Sequence, residues 1–197
     1  MNIKSIYNTK ACNSLCELAE VVSGVFLKPS PSGTVYYVQM LDLATGNPEA
    51  TAAKVDCVPK LQHCMIKPRD LLFAGKGTSY LCQIFGRDLP AVPSTSLYII
   101  RPTSDRVIAE YLCWYLNQPK VVAAVKAFQV GSGTPMVHKS TLEGLRVVVP
   151  DLGTQRRIIE IDTLQRREVQ LLKSLAEKRG QLTSQILFDE IIQQTTI

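Results

Sequence analysis

Two glycine-containing loops carry the residue types that best suit contact with a phosphate or a cofactor. The first, FAGKG at positions 73–77, superficially matches the FxGxG pattern of S-adenosylmethionine-binding loops. Methyltransferases of that kind also need a Pro-Pro motif to hold a flipped base, and the sequence contains no Pro-Pro dipeptide. A strand-like run, not a helix, follows Gly77, which argues against a dinucleotide-binding turn. We therefore predict an exposed hairpin tip at which Lys76, Thr78 and Ser79 donate to phosphate oxygens and base edges. A cofactor-binding titration would test the alternative, an S-adenosylmethionine-dependent enzyme.

The second loop, GSGTP at positions 131–135, combines backbone N–H groups with two hydroxyls in a small-residue segment. Loops of this type approach phosphates closely. On this interpretation Ser132, Thr134 and the nearby Lys139 contact nucleic acid. A plain linker after a helix fits the same residues equally well. His138 precedes Lys139, and a lone histidine is more often structural or on the surface than catalytic.

No catalytic or metal-binding pattern is recognisable in the sequence. There are only two histidines, His63 and His138, no HExxH motif, and no acidic pair that suggests a two-metal nuclease. The six cysteines form no CxxC pair, and their spacing around His63 matches no usual zinc site. We predict free thiols that pack as small apolar residues. The sequence thus predicts a protein that is not an enzyme and that has no metal or cofactor.

The positive charge lies in one part of the chain. Residues 151–197 hold seven basic and seven acidic residues, so the whole net charge of +5 belongs to residues 1–150. Between positions 54 and 87 there are six basic residues against two acidic ones. This excess fits a polyanionic partner, although charge alone slightly favours a solvated basic surface without function. The basic positions that would support the binding of such a partner are Lys54, Lys60, Lys67, Arg69 and Arg87.

Short runs of β-branched and aromatic residues alternate with turn sequences over the first 150 residues. An entry segment at 14–26 becomes a strand, and further strands are predicted at 35–40, 70–73, 80–85, 96–101 and 145–149. Ser104 or Asp105 is expected to cap a first helix. A second helix begins at Pro119 and carries an apolar face of Val121, Val122, Val125 and Phe128. The pattern predicts a mixed α/β domain at 1–150 with many short strands.

Residues 151–197 have a different character. From about Gln155 to Gln194 there is no proline, and Gly180 is the one glycine, a possible break in the helix. A helix of forty residues is roughly 60 Å long, so its apolar stripe is expected to pack against a partner helix. The alternative is a helix that folds back on its own domain. Glu168 and Lys178 interrupt the stripe. We predict a homodimer built on an antiparallel coiled coil, with the dimerisation residues Ile161, Leu164, Leu171, Leu175, Leu182 and Ile186.

Several short segments follow one another in a recognisable order. They are LAEVVSG at 18–24, YVQMLDL at 37–43, IKPRDLLF at 66–73, EYLCWYLN at 110–117, GSGTPMV at 131–137 and LGTQRRI at 152–158. Their order resembles one known family, the specificity subunits of type I restriction–modification systems. The likeness extends over roughly Leu15–Leu187, and Arg69 stands at a position that is usually glycine in the family.

The resemblance implies a target recognition domain that reads one half of a split DNA site, followed by a conserved helix that spaces two such domains. It implies double-stranded DNA and a DNA methyltransferase subunit as partners, with a restriction nuclease subunit as a further one. Family members usually carry two domains and two helices, so this chain resembles a half-length form. A module that binds a helical protein partner and no DNA is the alternative function. The first residues lack a signal-peptide pattern and no apolar run suits a membrane, so a cytoplasmic location is expected.

Overall fold

The computed structural model describes residues 12–45, 48–77, 81–128 and 135–195, without the side chains of 44 and 193–195. The chain divides into two compact units, Met1–Arg156 and Arg157–Ile197. In the described ranges, none of the helices combines the length and apolar character that a membrane span requires.

The first unit combines many short strands with short helices, as the sequence predicts for a mixed α/β domain. Its strands are β1 (Cys12–Ser14), β2 (Ala19–Ser23), β3 (Val35–Val38), β4 (Ala53–Val55), β5 (Leu71–Ala74), β6 (Cys82–Ile84), β7 (Ala91–Pro93), β8 (Leu97–Pro102) and β9 (Arg146–Val148). Its helices are α1 (Met40–Thr45), α2 (Pro48–Thr51), α3 (Ala109–Leu116), α4 (Pro119–Ala127) and α5 (Lys139–Glu143), with 3-10 turns at Leu15–Glu17 and Pro59–Cys64. The long helix α6 (Leu152–Thr195) follows.

The predicted hairpin at the first glycine loop is confirmed. Strands β5 and β6 pair antiparallel, with Leu72 opposite Gln83, and they form one edge of a four-stranded sheet in the order β2-β8-β5-β6. All four residues of β5 are buried, because its neighbours β6 and β8 cover both edges and the core covers its faces. This strand therefore holds the two segments that flank it, 67–70 and 75–77, at fixed places.

Two smaller sheets complete the domain. One has the order β4-β3-β7, in which β3 and β7 run parallel, and the other pairs β1 with β9 antiparallel. Val35 and Val38 of β3 share one buried cluster with Leu72 of β5 and Ile99 of β8. The three-stranded and four-stranded sheets thus belong to a single hydrophobic core.

Three local expectations are wrong. The strand predicted at 35–40 ends at Val38, because the buried Asp42 carboxylate accepts the Gln39 N–H at 2.7 Å and starts α1. Helix α3 begins at Ala109 with Ile108 as N-cap, since Ser104 Oγ instead accepts the Arg106 N–H within a turn. The side chain of Phe128 is 61% exposed and not part of the apolar face of α4, which ends one residue earlier.

Helix α6 is continuous for 44 residues, including Gly180, so no break occurs there. At ~1.5 Å per residue it is roughly 66 Å long. Its start is capped by Asp151, whose carboxylate accepts the Thr154 N–H at 2.9 Å. The apolar side chains predicted to form the dimer seam are between 53% and 65% exposed; these are Ile161, Leu164, Leu171, Leu175, Leu182 and Ile186.

Candidate nucleic-acid interface

The structure brings the first glycine loop next to the segment that follows the second. Lys76 and Met136 form an antiparallel bridge. The Gly77 N–H donates to the Pro135 carbonyl at 2.8 Å, and the Val137 N–H donates to the Gly75 carbonyl at 2.9 Å. Residues 75–77 and 135–137, about sixty positions apart in the sequence, therefore meet at one edge of the domain, and Lys76 is half-buried there.

Tyr98 of β8 holds this junction together. Its hydroxyl donates to the Val137 carbonyl at 2.8 Å, and its ring occupies the space that a Cβ atom on Gly75 would need. Burial raises the pKa of the Tyr98 phenol, so the hydroxyl remains a donor at neutral pH. Gly77 has a φ of +93°, which favours glycine for its backbone alone. Packing and backbone conformation thus account for both glycines, which favours a hairpin tip over a cofactor loop.

Lys139 lies close to the junction in sequence, three residues beyond Met136. It is the first residue of α5, and its Nζ is 3.5 Å from Oε1 of Glu143, one turn later. The pair is half exposed, so it is worth at most about 1 kcal/mol and leaves the lysine able to bind a phosphate instead. Lys139 also lines a surface pocket with Glu20 and His63.

The other basic residues do not join Lys76 in one patch. Lys67 and Arg69 lie at the opposite end of β5, where Arg69 makes a bidentate ion pair with Glu110 at 2.9 and 3.0 Å. Arg87 pairs with Glu49 at 3.2 Å. The remaining two are both exposed, and the Lys54 ammonium lies over the ring of a neighbouring tyrosine. These two are Lys54 and Lys60.

Arg69 occupies a backbone position that suits glycine. Its φ is +71°, and the Asp70 N–H donates to the Lys67 carbonyl at 3.0 Å, which closes a turn with Pro68 at its second position. A proline followed by a left-handed residue is typical of a type II turn, in which the third residue is normally glycine. An arginine here costs about 1 kcal/mol or more in backbone strain.

Behind this turn lies a buried ion pair. Arg101 donates from Nε to Asp70 Oδ1 at 2.9 Å and from Nη2 to Asp70 Oδ2 at 2.7 Å, and the Asp70 side chain is only 3% exposed. Nη2 also donates to the Met65 carbonyl, and the hydrogen bonds with Asp70 raise the pKa of Arg101. The Lys67 N–H donates to the same carboxylate, so the ion pair fixes the turn on which Lys67 and Arg69 stand.

A glutamine in the first turn of α6 is fully buried. The Nε2 of Gln155 donates to the carbonyls of Arg106 and Pro150, both at 2.8 Å, and its Oε1 accepts the Ile108 N–H at 2.9 Å. One amide group thus satisfies three backbone groups. Because Ile108 is the N-cap of α3 and makes no side-chain cap of its own, Gln155 orders the start of that helix.

Four of the predicted contact residues lie outside the described residues: Thr78, Ser79, Ser132 and Thr134. The six cysteines are free thiols, and burial raises the pKa of Cys64 and Cys82. Within the described ranges, no group of three or more His, Cys, Asp or Glu side chains is arranged to hold a metal ion.

A family profile of the type I restriction modification DNA specificity domain matches residues 15–178. The chain belongs to this family. Its role is accordingly that of a DNA specificity domain, and the predicted mixed α/β fold with many short strands and a long C-terminal helix is confirmed. Among curated protein sequences, none is significantly similar to this specificity domain.

Solved structures share the fold at low sequence identity. The type I restriction-modification S subunit from M. genitalium has a TM-score of 0.57 at 13% identity and aligns with 84% of this chain and 41% of its own. The HsdS subunit from Thermoanaerobacter tengcongensis has a TM-score of 0.60 at 19% identity, covering 83% of this chain and 39% of its own. A chain from a structural study of assembly and conformational transition in the type I R-M system gives 0.60 at 18% identity, covering 89% and 43%. The specificity domain thus spans about two fifths of the length of the structures that it matches.

The sequence predicts lysines such as Lys76 as contact residues but assigns no role to the residues that hold them in place. Tyr98 is predicted only as part of a strand, and no pattern points to the Asp70–Arg101 pair or to the three hydrogen bonds of Gln155. A charge beside an apolar strand, as at Asp70 directly before the four buried residues of β5, is the one signal that could reveal a buried ion pair.

Proposed function

We propose that this protein is the DNA-sequence-reading subunit of a type I restriction–modification system, directing a partner methyltransferase and nuclease to a bipartite site. The observation that carries the proposal is the bridge between Lys76 and Met136, which sets Lys76 beside the segment that follows the second glycine loop. Backbone N–H groups, hydroxyls and lysines, which we propose to lie together at this edge, are the donors that DNA phosphates and base edges accept. The net charge of +5 favours such a polyanion.

The DNA contacts proposed at this edge are Lys76, Thr78, Ser79, Ser132, Thr134 and Lys139. The other basic side chains of the first unit assist by long-range electrostatic attraction to DNA. They do not contact it directly, because Arg69 and Arg87 are engaged with glutamates.

Lysine substitutions in the assembled complex test this site. Each phosphate contact that is lost should weaken binding on all sequences and reduce the slope of log K against log salt by about one. We expect this for Lys76→Ala and Lys139→Ala but not for Lys173→Ala, an exposed lysine of α6 that serves as matched control. If affinity and salt slope are unchanged in both Lys76→Ala and Lys139→Ala, the site assignment is wrong.

The chain itself is proposed to have no catalytic role, so the purified protein alone should transfer no methyl group to DNA. Detectable methyl transfer by the purified chain in the absence of a methyltransferase subunit would contradict this. A protein-interaction module that uses α6 and binds no DNA is the second candidate, favoured by the exposed apolar seam. Gel shifts with random duplex at several salt concentrations, with methyltransferase present, separate the two, because only the specificity subunit retards DNA.

We further propose a homodimer formed through α6, in which two antiparallel helices hold two recognition domains. The seam is exposed, and residues 151–197 have no net charge, so self-association meets little repulsion. A closed two-fold dimer reads two inverted half-sites. Light scattering on the wild type and on Leu175→Glu tests the dimer. Methylome sequencing of cells with this chain and its methyltransferase tests the palindrome, which a continuous or asymmetric motif would refute.

A further inference from the structure

The seam of α6 follows a seven-residue repeat with alternating steps of three and four. Counting Ile161 as position a, its a and d positions are mostly apolar, as in a coiled coil. The exceptions are charged or polar and fall at particular heptads. Position a is Ile161, Glu168, Leu175, Leu182 and Asp189, and position d is Leu164, Leu171, Lys178, Gln185 and Ile192, while Ile186 falls at the neighbouring position e.

The two charges inside the seam have no partner in their own helix. Glu168 and Lys178 are both exposed and ten residues apart, roughly 15 Å along the axis, too far to pair with each other. Among the described residues, neither takes part in an ion pair. A charge at a core position of a coiled coil lowers stability but selects orientation and register.

A parallel pair of helices would oppose like charges, since position a faces a and d faces d. Glu168 would then meet Glu168 of the partner subunit, and Lys178 would meet Lys178 of the partner subunit. Like charges set against each other at an interface cost several kcal/mol, whereas an exposed ion pair gains at most about 1 kcal/mol. The seam therefore selects its partner mainly by penalising the wrong arrangement.

We infer that α6 pairs with a second copy of this chain in one antiparallel register, set by Glu168 against Lys178 of the partner subunit. Two-fold symmetry makes this contact twice, with the axis level with Lys173. The inference rests on the proposed homodimer and adds the residues that choose the partner. The same register stacks Leu171 on Leu175 of the partner subunit, Leu164 on Leu182 of the partner subunit, and Arg157 near Asp189 of the partner subunit.

Neighbouring antiparallel registers are poorer. A slide of one heptad in one direction sets Lys178 against Leu175 of the partner subunit and Leu164 against Asp189 of the partner subunit. A slide in the other direction sets Glu168 against Leu171 of the partner subunit. Each of these slides packs a charged side chain against an apolar one without an opposite charge nearby, which costs free energy. Only one register satisfies both interrupting charges and keeps the leucines together.

Charge reversal in the full chain tests this register by sedimentation equilibrium. Glu168→Lys and Lys178→Glu should each weaken the dimer by about tenfold or more, because each places two like-charge pairs in the seam. The double variant should recover an affinity within about threefold of the wild type, and an equimolar mixture of the two single variants should form a mixed dimer. Glu177→Lys, the same charge change at an exposed position off the seam, should leave the dimer unchanged.

The outcomes separate the register from the proposed function. A monomeric wild type would overturn the homodimer and this inference together, without bearing on DNA binding in the gel shift. A dimeric wild type whose single variants dimerise equally well, or whose double variant fails to recover, would overturn the register alone. If a single variant does not fold on its own, failure of the mixture to form a dimer refutes the register. Cysteine pairs at Leu164 and Leu182 should cross-link two chains, and a single Leu164→Cys that cross-links with itself would indicate a parallel dimer.

Discussion

Removing the Gln155 amide should destabilise the first unit by about 3 kcal/mol. Gln155→Ala deletes three hydrogen bonds of 2.8 to 2.9 Å and leaves the Arg106 and Pro150 carbonyls and the Ile108 N–H without their partner. A net contribution near 1 kcal/mol per hydrogen bond gives the sum, since the Gln155 side chain is fully buried. Gln155→Met keeps the volume and removes only the hydrogen bonds, so most of the loss should remain.

Urea unfolding at one protein concentration, followed by circular dichroism, measures this loss. Gln165→Ala is the matched control, because Gln165 is exposed on the same helix and its removal should change stability by less than about 0.5 kcal/mol. Amide hydrogen exchange gives a local readout: the Ile108 N–H should lose protection in Gln155→Ala. A loss below about 1 kcal/mol with unchanged protection of Ile108 would refute the reasoning.

Two further predictions follow from the backbone and from a buried phenol. Because Arg69 has a φ of +71°, Arg69→Gly should be more stable than Arg69→Ala by about 1 kcal/mol in urea unfolding, since both lose the ion pair with Glu110 but only glycine relieves the strain; an alanine variant of equal stability would contradict this. Burial raises the pKa of Tyr111 to about 12, so the folded state favours the neutral phenol. This contribution to stability is complete below about pH 10 and is lost towards about pH 12, at up to roughly 1.4 kcal/mol per pH unit. The difference in unfolding free energy between the wild type and Tyr111→Phe, measured in urea across this range, should therefore shrink as the pH rises.

Local patterns account for the parts of the fold that the sequence could predict. The β5–β6 hairpin follows from two apolar runs separated by a glycine loop, and α6 follows from forty residues without proline. The strand β7 was missed because Ala91–Pro93 is only three residues long and ends in a proline, and its parallel pairing with β3 joins distant segments. Short strands stabilised by such pairing leave little periodic signal.

The candidate site was predictable only in residue type. The residue types at Lys76 and in the glycine loops point to their chemistry, but the position of Lys76 beside Met136 depends on their bridge and on Tyr98, which are contacts across the fold. For Arg69, the sequence shows that an arginine replaces the glycine usual in the family. It does not show that the backbone there is left-handed.

The pairing of β1 with β9 sets a limit on how the domain matures during synthesis. Arg146 donates to the Cys12 carbonyl across 134 positions of the chain. At ~5–20 residues per second a ribosome needs roughly 7–27 s to make that stretch. During this interval the hairpin of β5 and β6 can form, because its two strands are close in the sequence. Strand β1 remains unpaired until β9 has been synthesised. Strand β1 is made before its partner but is thus paired late, and the nascent chain exposes a strand edge to neighbouring chains until Val148 has emerged.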